Sequence, residues 1–442
     1  MKILRPAKGP LRGRLRPPGD KSISHRSVMM ASVSHGTSKI EGFLHAADTL
    51  STVGVFRALG VPIEIQGETV HIIGKGPGAL RKPAAPLDCG NSGTTMRLMT
   101  GLLAGIGLDA ELIGDASLTR RPMKRVSAPL NSFGADVRTS EGLPPVIVGA
   151  GGSFRGGRYD SPIASAQVKS SLLLAGLMAG VPVEVEEPTA SRDHTETIFR
   201  ALGVAVESSP HYLGEAPGPA SVRLPAHKAA LKGVDHEVPA DISSAAFLAV
   251  AAAIVPDSDV TITGCGVAPT RAGLIHILDR AIGGLTITDK GTSPGGEPEA
   301  DLRVCGGRVA SFEIRSAEVP TLIDEIPALA ILAGQAHGRS TFRGIGELRV
   351  KESDRLERTA KLLRACGVKV ETGRDWMNID GLGGRPFEAF EFDAPHDHRM
   401  AGAAAVAALM AKGPCTVRGL SSLDVSYPSL LSDLESLQTR RP

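Results

Sequence analysis

Residues 91–114, NSGTTMRLMTGLLAGIGLDAELIG, open with a polar helix start and continue as an apolar helix rich in Leu, Met and Ala. They break at Gly107 and finish as a short strand ending at Gly114. The same order returns in SISHRSVMMASVSHGTSKIEGF (22–43), SAQVKSSLLLAGLMAGVPVEVEE (165–187), SSAAFLAVAAAIVPDSDVTITG (243–264), IDEIPALAILAGQAHGRSTFRG (323–344) and DHRMAGAAAVAALMAKGPCTVRG (397–419). A second signature follows all but the last: FRALGVPIEI, NSFGADV, FRALGVAVE, LDRAIGGLTIT and LRACGVKVE. It reads as an amphipathic helix, a glycine able to take the left-handed cap (Gly60, Gly134, Gly203, Gly283, Gly367), and a strand of alternating β-branched residues. The glycines recur at intervals of roughly 70 to 85 residues, so the chain is a repeat protein. Each repeat reads helix, strand, helix, strand, strand, and the sixth is truncated after its second helix, near Leu434. The first helix of each repeat is apolar nearly all round, which places it inside, covered by sheets.

A chain of 442 residues is too long for one compact domain. Three repeats precede and three follow a Pro- and Gly-rich interruption, SSPHYLGEAPGPASVRLPAHKAALKG (208–233). The economical solution is an α/β protein of two lobes with three repeats each. One lobe would comprise 21–235 with repeats 1–3, the other 1–20 plus 236–442 with repeats 4–6, with the active site expected in the cleft between them.

Composition excludes several classes of function. Lys and Arg total 49 against 47 Asp and Glu, a net charge of +2, so no global field draws the protein to nucleic acid or a membrane. Aromatic residues make up only 3%, too few for a base-stacking surface. The five cysteines form no metal-binding or disulfide spacing, so no metal is expected and a reducing cytoplasm fits best. The longest apolar stretches, 172–185 and 245–255, fall short of the ~18–20 residues that span a bilayer. The N-terminus carries basic residues with no apolar segment after them, so it reads as a strand and turn of a soluble protein.

Anion-binding groups should collect at the helix starts, where free N–H groups and the helix dipole favour negative charge. Those starts hold Lys21, Ser22 and Arg26; Asn91, Ser92 and Gly93; Ser165, Ala166 and Gln167; Asp324 and Glu325; and Asp397, His398 and Arg399. Charged clusters also precede second helices: Arg120 and Arg121, Arg192 and Asp193, and Lys351, Glu352, Asp354 and Arg355. Such a set would bind several phosphates or carboxylates, with Arg supplying bidentate forks. Asp324 and Glu352, acids among cations, read as proton-transfer groups. His25, His194 and His398 read as structural hydrogen-bonding groups.

GDKSISHR (19–26), GNSGTTMRL (90–98), TRRPM (119–123), SAQVKS (165–170), RVKESDR (349–355) and DHRM (397–400) run in order along the chain and closely resemble the EPSP synthases of the enolpyruvyl transferase family. The resemblance implies the inverse α/β barrel of that family, two lobes each of three units. It implies transfer of the enolpyruvyl group of phosphoenolpyruvate to the 5-hydroxyl of shikimate 3-phosphate, with release of phosphate and no cofactor, on the route to chorismate and aromatic amino acids. Carried over by motif, Lys21, Ser22, Arg26, Ser165, Gln167, Arg192, Asp324 and Lys351 hold shikimate 3-phosphate. Lys21, Gly93, Arg121, Gln167, Arg355 and Arg399 hold phosphoenolpyruvate. Asp324, Glu352 and Lys21 are the catalytic set, with the division of proton transfers between the acids left open. Closure on substrate binding and a monomeric state are expected.

Two departures qualify the resemblance. Val425 stands where many members carry a phosphoenolpyruvate-contacting Lys, which leaves Arg121, Arg355 and Arg399 for that ligand. Members tolerant of glyphosate often carry Ala in place of Gly93, so sensitivity to this inhibitor is expected. The nearest rival is UDP-N-acetylglucosamine enolpyruvyl transferase, whose reactive Cys has no counterpart in IGDASLTRRPMKR (113–125). A non-enzymatic anion-binding protein on the same scaffold would need no acids among its cations.

Overall fold

The computed structural model describes residues 1–213 and 216–439. Two short strands, β1 (Lys2–Leu4) and β2 (Arg12–Leu15), come before the repeats. The first repeat is α1 (Lys21–Val33), β3 (His35–Glu41), α2 (Ala47–Ala58), β4 (Ile63–Gln66) and β5 (Thr69–Lys75). β6 (Leu87–Asp88) leads into α3 (Gly93–Ile106), β7 (Ala110–Ile113), α4 (Lys124–Ser132), β8 (Asp136–Ser140) and β9 (Leu143–Gly149). β10 (Gly157–Asp160) leads into α5 (Ala166–Ala179), β11 (Val183–Glu187), α6 (His194–Ala201), β12 (Glu207–Leu213) and β13 (Ala216–Leu224). β14 (His236–Glu237) precedes α7 (Ile242–Ile254), β15 (Asp259–Gly266), α8 (Gly273–Ala281), β16 (Leu285–Thr292) and β17 (Pro298–Cys305). β18 (Glu313–Ile314) precedes α9 (Ile326–Gln335), β19 (Arg339–Arg343), α10 (Arg355–Ala365), β20 (Lys369–Thr372) and β21 (Trp376–Asp380). The last repeat is β22 (Glu391–Asp393), α11 (His398–Leu409), β23 (Cys415–Arg418) and α12 (Leu430–Thr439).

The stretch read as an interruption holds regular structure: β12 and β13 pair antiparallel and complete the third repeat. Its Gly214 and Glu215 lie outside the described residues. Proline and glycine obscured the hairpin because sequence reading treats them as breakers, whereas an edge strand such as β12 tolerates proline. A second correction concerns Gly283. Gly60, Gly134, Gly203 and Gly367 take positive φ, but α8 leaves its last turn through Ile282 in extended conformation, so Gly283 caps nothing.

The sheets repeat one plan. In the second repeat the order is β6-β7-β9-β8, with β6 parallel to β7 and the remaining pairs antiparallel. The described strands form six separate open sheets, none closed into a barrel. At the first and fourth repeats the leading strands exchange places. β2, which precedes the first repeat, lies parallel to β15 of the fourth, and β14, which precedes the fourth, lies parallel to β3 of the first. In the truncated sixth repeat β1 pairs antiparallel with β23, where the other sheets place a hairpin strand.

The chain divides into two compact units, Gly19–Val238 with Thr292–Glu297, and Met1–Pro18 with Pro239–Gly291 and Pro298–Pro442. Each has its own apolar core. In the unit of repeats 4–6, α7, α9 and α11 are buried along their whole length and contact one another. In the unit of repeats 1–3, α3 and α5 cross closely because Gly101 and Gly105 present no side chain: a Cβ would lie 2.1 Å from the Ser171 carbonyl oxygen at the first and 2.3 Å from that of Ala175 at the second. Slender helices are what sheet-covered helices require, and this accounts for the Ala- and Gly-rich composition. Among the described residues no helix is long and apolar enough to cross a membrane.

Candidate active site

In the unit of repeats 1–3 the helix starts supply the polar groups. Asp20 caps α1 by accepting from the Ile23 N–H at 2.9 Å, which sets Lys21 on the first turn. Lys21 Nζ lies 3.3 Å from Asp48 Oδ2. Arg26 turns inward and is buried. Its Nε donates to Thr195 Oγ1 at 2.7 Å, Nη1 to the Ser22 carbonyl at 2.9 Å and Nη2 to Ser170 Oγ at 2.8 Å. Two of these bonds tie α1 to α5 and α6, and the third stays within α1. Burial lowers its pKa to about 10, opposed by Glu196 and Asp20, so it stays a cation at neutral pH. The charge of Arg192 acts on Arg26, so both cations belong to this region.

Ser92 caps α3 through the Thr95 N–H at 3.1 Å, leaving Gly93 on its first turn. Arg97, one turn on, donates from Nη1 to Gln167 Oε1 at 2.7 Å and from Nη2 to the Pro122 carbonyl at 3.2 Å. Gln167 Nε2 donates to Thr94 Oγ1 at 3.1 Å, so its amide is oriented from both ends. A Cβ at Gly93 would stand 2.9 Å from Arg97 Nη1 and 3.5 Å from Arg121 Nη1. Gly93, Arg97, Arg121 and Gln167 therefore converge. Arg121 Nη2 donates to Asn91 Oδ1 at 2.6 Å and to Ser117 Oγ at 3.2 Å.

Behind this layer, His25 Nδ1 lies 2.6 Å from Thr52 Oγ1, which is 2.7 Å from Thr95 Oγ1, which donates to Ser92 Oγ at 2.8 Å. Burial first, then Lys21 and Arg26, push the His25 pKa well down. It is a neutral structural group that links the starts of α1 and α3. His194 Nδ1 pairs with Glu297 Oε1 at 2.8 Å. Cys89 is buried, and burial raises its thiol pKa, so it is unsuited to nucleophilic chemistry.

In the unit of repeats 4–6 the centre is Arg355, the first residue of α10 and only 1% exposed. Its Nε lies 3.1 Å from Asp397 Oδ2, Nη1 3.2 Å from Asp324 Oδ1 and Nη2 2.5 Å from Glu352 Oε2. Burial alone would lower its pKa; Asp397, then Glu352 and Asp324, reverse this and hold it above its ordinary value. Lys351 Nζ stands 3.6 Å from the same Asp324 oxygen. Asp324 and Glu352 keep about a fifth of their side chains exposed, at 17% and 20%, so both acids reach solvent while Arg355 does not. Arg399 sits in the first turn of α11, its guanidinium 5.9 Å from the Phe247 ring centre and 3.9 Å from Asp241 Oδ2.

The structure brings Lys21, Ser22, Arg26, Gly93, Arg121, Ser165, Gln167 and Arg192 into one unit and Asp324, Lys351, Glu352, Arg355 and Arg399 into the other. Sequence reading missed several residues that hold these groups. Arg97 and Lys169 lie inside GNSGTTMRL and SAQVKS but carry no helix-start signal. Arg271 is buried against Asp241 at 3.5 Å and Glu325 at 3.4 Å, and Ser243 Oγ donates to Glu325. It sits in a 3-10 turn, Pro269–Arg271, just before α8, as Arg120 sits in the turn before α4; that shared position was the signal that could have found it.

The family model described as EPSP synthase (3-phosphoshikimate 1-carboxyvinyltransferase) matches residues 6–434. A protein of Parasynechococcus marenigrum named 3-phosphoshikimate 1-carboxyvinyltransferase is 46% identical over 98% of this chain and 97% of its own. One of the same name from Geobacter metallireducens is 44% identical over 99% of both. Among solved structures, EPSP synthase from Acinetobacter baumannii superposes with a TM-score of 0.85 at 39% identity, covering 98% of this chain and 97% of that one. The enolpyruvyl transferase NikO from Streptomyces tendae shares the fold, with a TM-score of 0.74 at 20% identity over 98% of this chain and 97% of that one.

Proposed function

The chain belongs to the EPSP synthase family, and from that premise we propose how its residues divide the work. It transfers the enolpyruvyl group of phosphoenolpyruvate to the 5-hydroxyl of shikimate 3-phosphate, giving 5-enolpyruvylshikimate 3-phosphate and phosphate. Lys21, Ser22, Arg26, Ser165, Gln167 and Arg192 hold shikimate 3-phosphate, joined by Asp324 and Lys351. Lys21, Gly93, Arg121, Gln167, Arg355 and Arg399 hold phosphoenolpyruvate. The observation that carries this division is the pair of solvent-reaching acids, Asp324 and Glu352, held on one buried guanidinium.

The chemistry is addition followed by elimination. The 5-hydroxyl oxygen bonds to C2 of phosphoenolpyruvate as its proton leaves to a base, and the methylene carbon gains a proton, giving a tetrahedral intermediate. Phosphate then departs and the methyl group returns a proton. Asp324 suits the hydroxyl; Glu352, with Lys21 or Lys351, suits the methylene and the departing phosphate. Both substrates are polyanions, so the cations offset their repulsion and align the reacting atoms. The two clusters serve one reaction, in a monomer working in a reducing cytoplasm.

The test is release of inorganic phosphate from phosphoenolpyruvate, run in parallel with shikimate 3-phosphate and with UDP-N-acetylglucosamine. Turnover with the first acceptor alone is expected; turnover with only the second would overturn the reading.

A further inference from the structure

Lys169 lies within α5 and its side chain is 2% exposed, an unusual place for an ammonium group. Its Nζ stands 2.8 Å from Glu196 Oε1 and 3.1 Å from Glu187 Oε2, and donates to the Ser191 carbonyl at 3.3 Å. Glu187 is itself a junction. Its Oε1 accepts the backbone N–H of Ser165 at 2.9 Å, and its Oε2 accepts the N–H and the hydroxyl of Ser191 at 3.3 and 2.8 Å. One lysine thus ties the start of α5, the loop that leads to Arg192, and α6.

The consequence falls on Ser165. A serine at a helix start ordinarily spends its hydroxyl on the cap, as Ser92 does on α3. Ser165 precedes α5 in the cap position, yet its hydroxyl makes no cap bond, and its backbone is fixed by Glu187 instead. The hydroxyl is held in place by groups other than itself. Without the ammonium, two buried carboxylates would face each other with no counter-charge. Glu187 would then either take up a proton or turn away, and Ser165 would lose its anchor.

We propose that Lys169 is a positioning residue which, through Glu187, sets the Ser165 hydroxyl to receive shikimate 3-phosphate; this rests on the assignment of Ser165 to that substrate. Binding of shikimate 3-phosphate is measured by calorimetry on the full chain for the wild type, Lys169→Met, Ser165→Ala and the double variant, with the KM for phosphoenolpyruvate at saturating shikimate 3-phosphate as a second readout.

Each single change is expected to raise the Kd at least about tenfold, as for loss of a hydrogen bond to a charged group. The double variant is expected to bind no worse than the weaker single, because both changes remove the same contact. The KM for phosphoenolpyruvate in Lys169→Met is expected to stay within about twofold of the wild type, which a disturbance of the whole start of α5, where Gln167 lies, would not allow. Fully additive losses overturn the inference, as does wild-type affinity in Lys169→Met alongside a loss in Ser165→Ala. Wild-type affinity in Ser165→Ala overturns the substrate assignment beneath it. Should Lys169→Met fail to fold, Glu187→Gln, which keeps the side-chain shape, takes its place in the same cycle with the same outcomes.

Discussion

Asp397 Oδ2 lies 3.1 Å from Arg355 Nε, while Asp397 Oδ1 accepts the backbone N–H of Arg399 at 3.0 Å. One carboxylate neutralises a buried guanidinium and caps the helix that carries a second cation. Asp397→Ala removes both interactions and should cost about 3 kcal/mol of stability. Asp397→Asn, which keeps an acceptor for the cap, should cost less. Urea unfolding at neutral pH checks the order.

Asp324 and Glu352 share Arg355 and reach solvent. Asp324→Asn and Glu352→Gln should each lower kcat by roughly 10²–10⁴, the range for loss of a general acid or base, with KM values changed only a few-fold. Unchanged kcat in both variants would show that neither acid transfers a proton in the reaction.

At Gly93 an added methyl would meet Arg97 Nη1 at 2.9 Å before it met Arg121. Gly93→Ala should displace the Arg97 fork from Gln167 and raise the KM for phosphoenolpyruvate about tenfold with kcat less affected. Inhibition by glyphosate should weaken in the same variant, whereas the wild type should be inhibited at low phosphoenolpyruvate. Steady-state kinetics with and without inhibitor measure both.

His236 is buried with Nδ1 2.7 Å from Ser27 Oγ, and burial lowers its pKa from 6.5 to about 4. A histidine that resists protonation when folded binds more protons when unfolded. Its stabilising effect is therefore complete above pH 6.5 and is lost as the pH falls towards 4. The loss is on the order of 3 kcal/mol. His194 has the opposite sign: burial would lower its pKa, but Glu297 raises it, so its contribution is present below pH 6.5 and fades as the pH rises through the folded value. Urea midpoints between pH 4 and 8 should show an acid-side decline that is shallower in His236→Asn.

Gly105 faces the Ala175 carbonyl so closely that a Cβ would come within 2.3 Å of its oxygen, and backbone cannot step aside as a side chain can. Gly105→Ala should destabilise by about 2–3 kcal/mol despite its better helix propensity. An unchanged unfolding midpoint would show that α3 and α5 can separate without penalty.

The repeat plan was legible because it rests on local signals. Apolar periodicity, helix starts such as Asp20 and Ser92, and positive-φ glycines such as Gly60 and Gly367 each act within a few residues, so they are written in order along the chain. The RVKESDR motif likewise led to Glu352 and Arg355, and the helix start of the fifth repeat led to Asp324. Where the local signal was ambiguous the reading erred: Gly283 follows a helix but takes no cap conformation, and β12 and β13 form a hairpin in spite of their prolines.

By itself, then, the sequence determined six helix-and-strand repeats, buried first helices and the charged residue types at the helix starts, since these depend on contacts between near neighbours. Only the tertiary structure decided which short strand completes which sheet: β2 beside β15, β14 beside β3 and β1 beside β23. It also decided that Arg355 gathers three carboxylates and that Lys169 anchors Ser165 through Glu187. Edge strands pair with whatever backbone lies beside them, and buried charges take whatever partner the packing supplies. Both choices are made between residues far apart in the chain, where no local pattern records them.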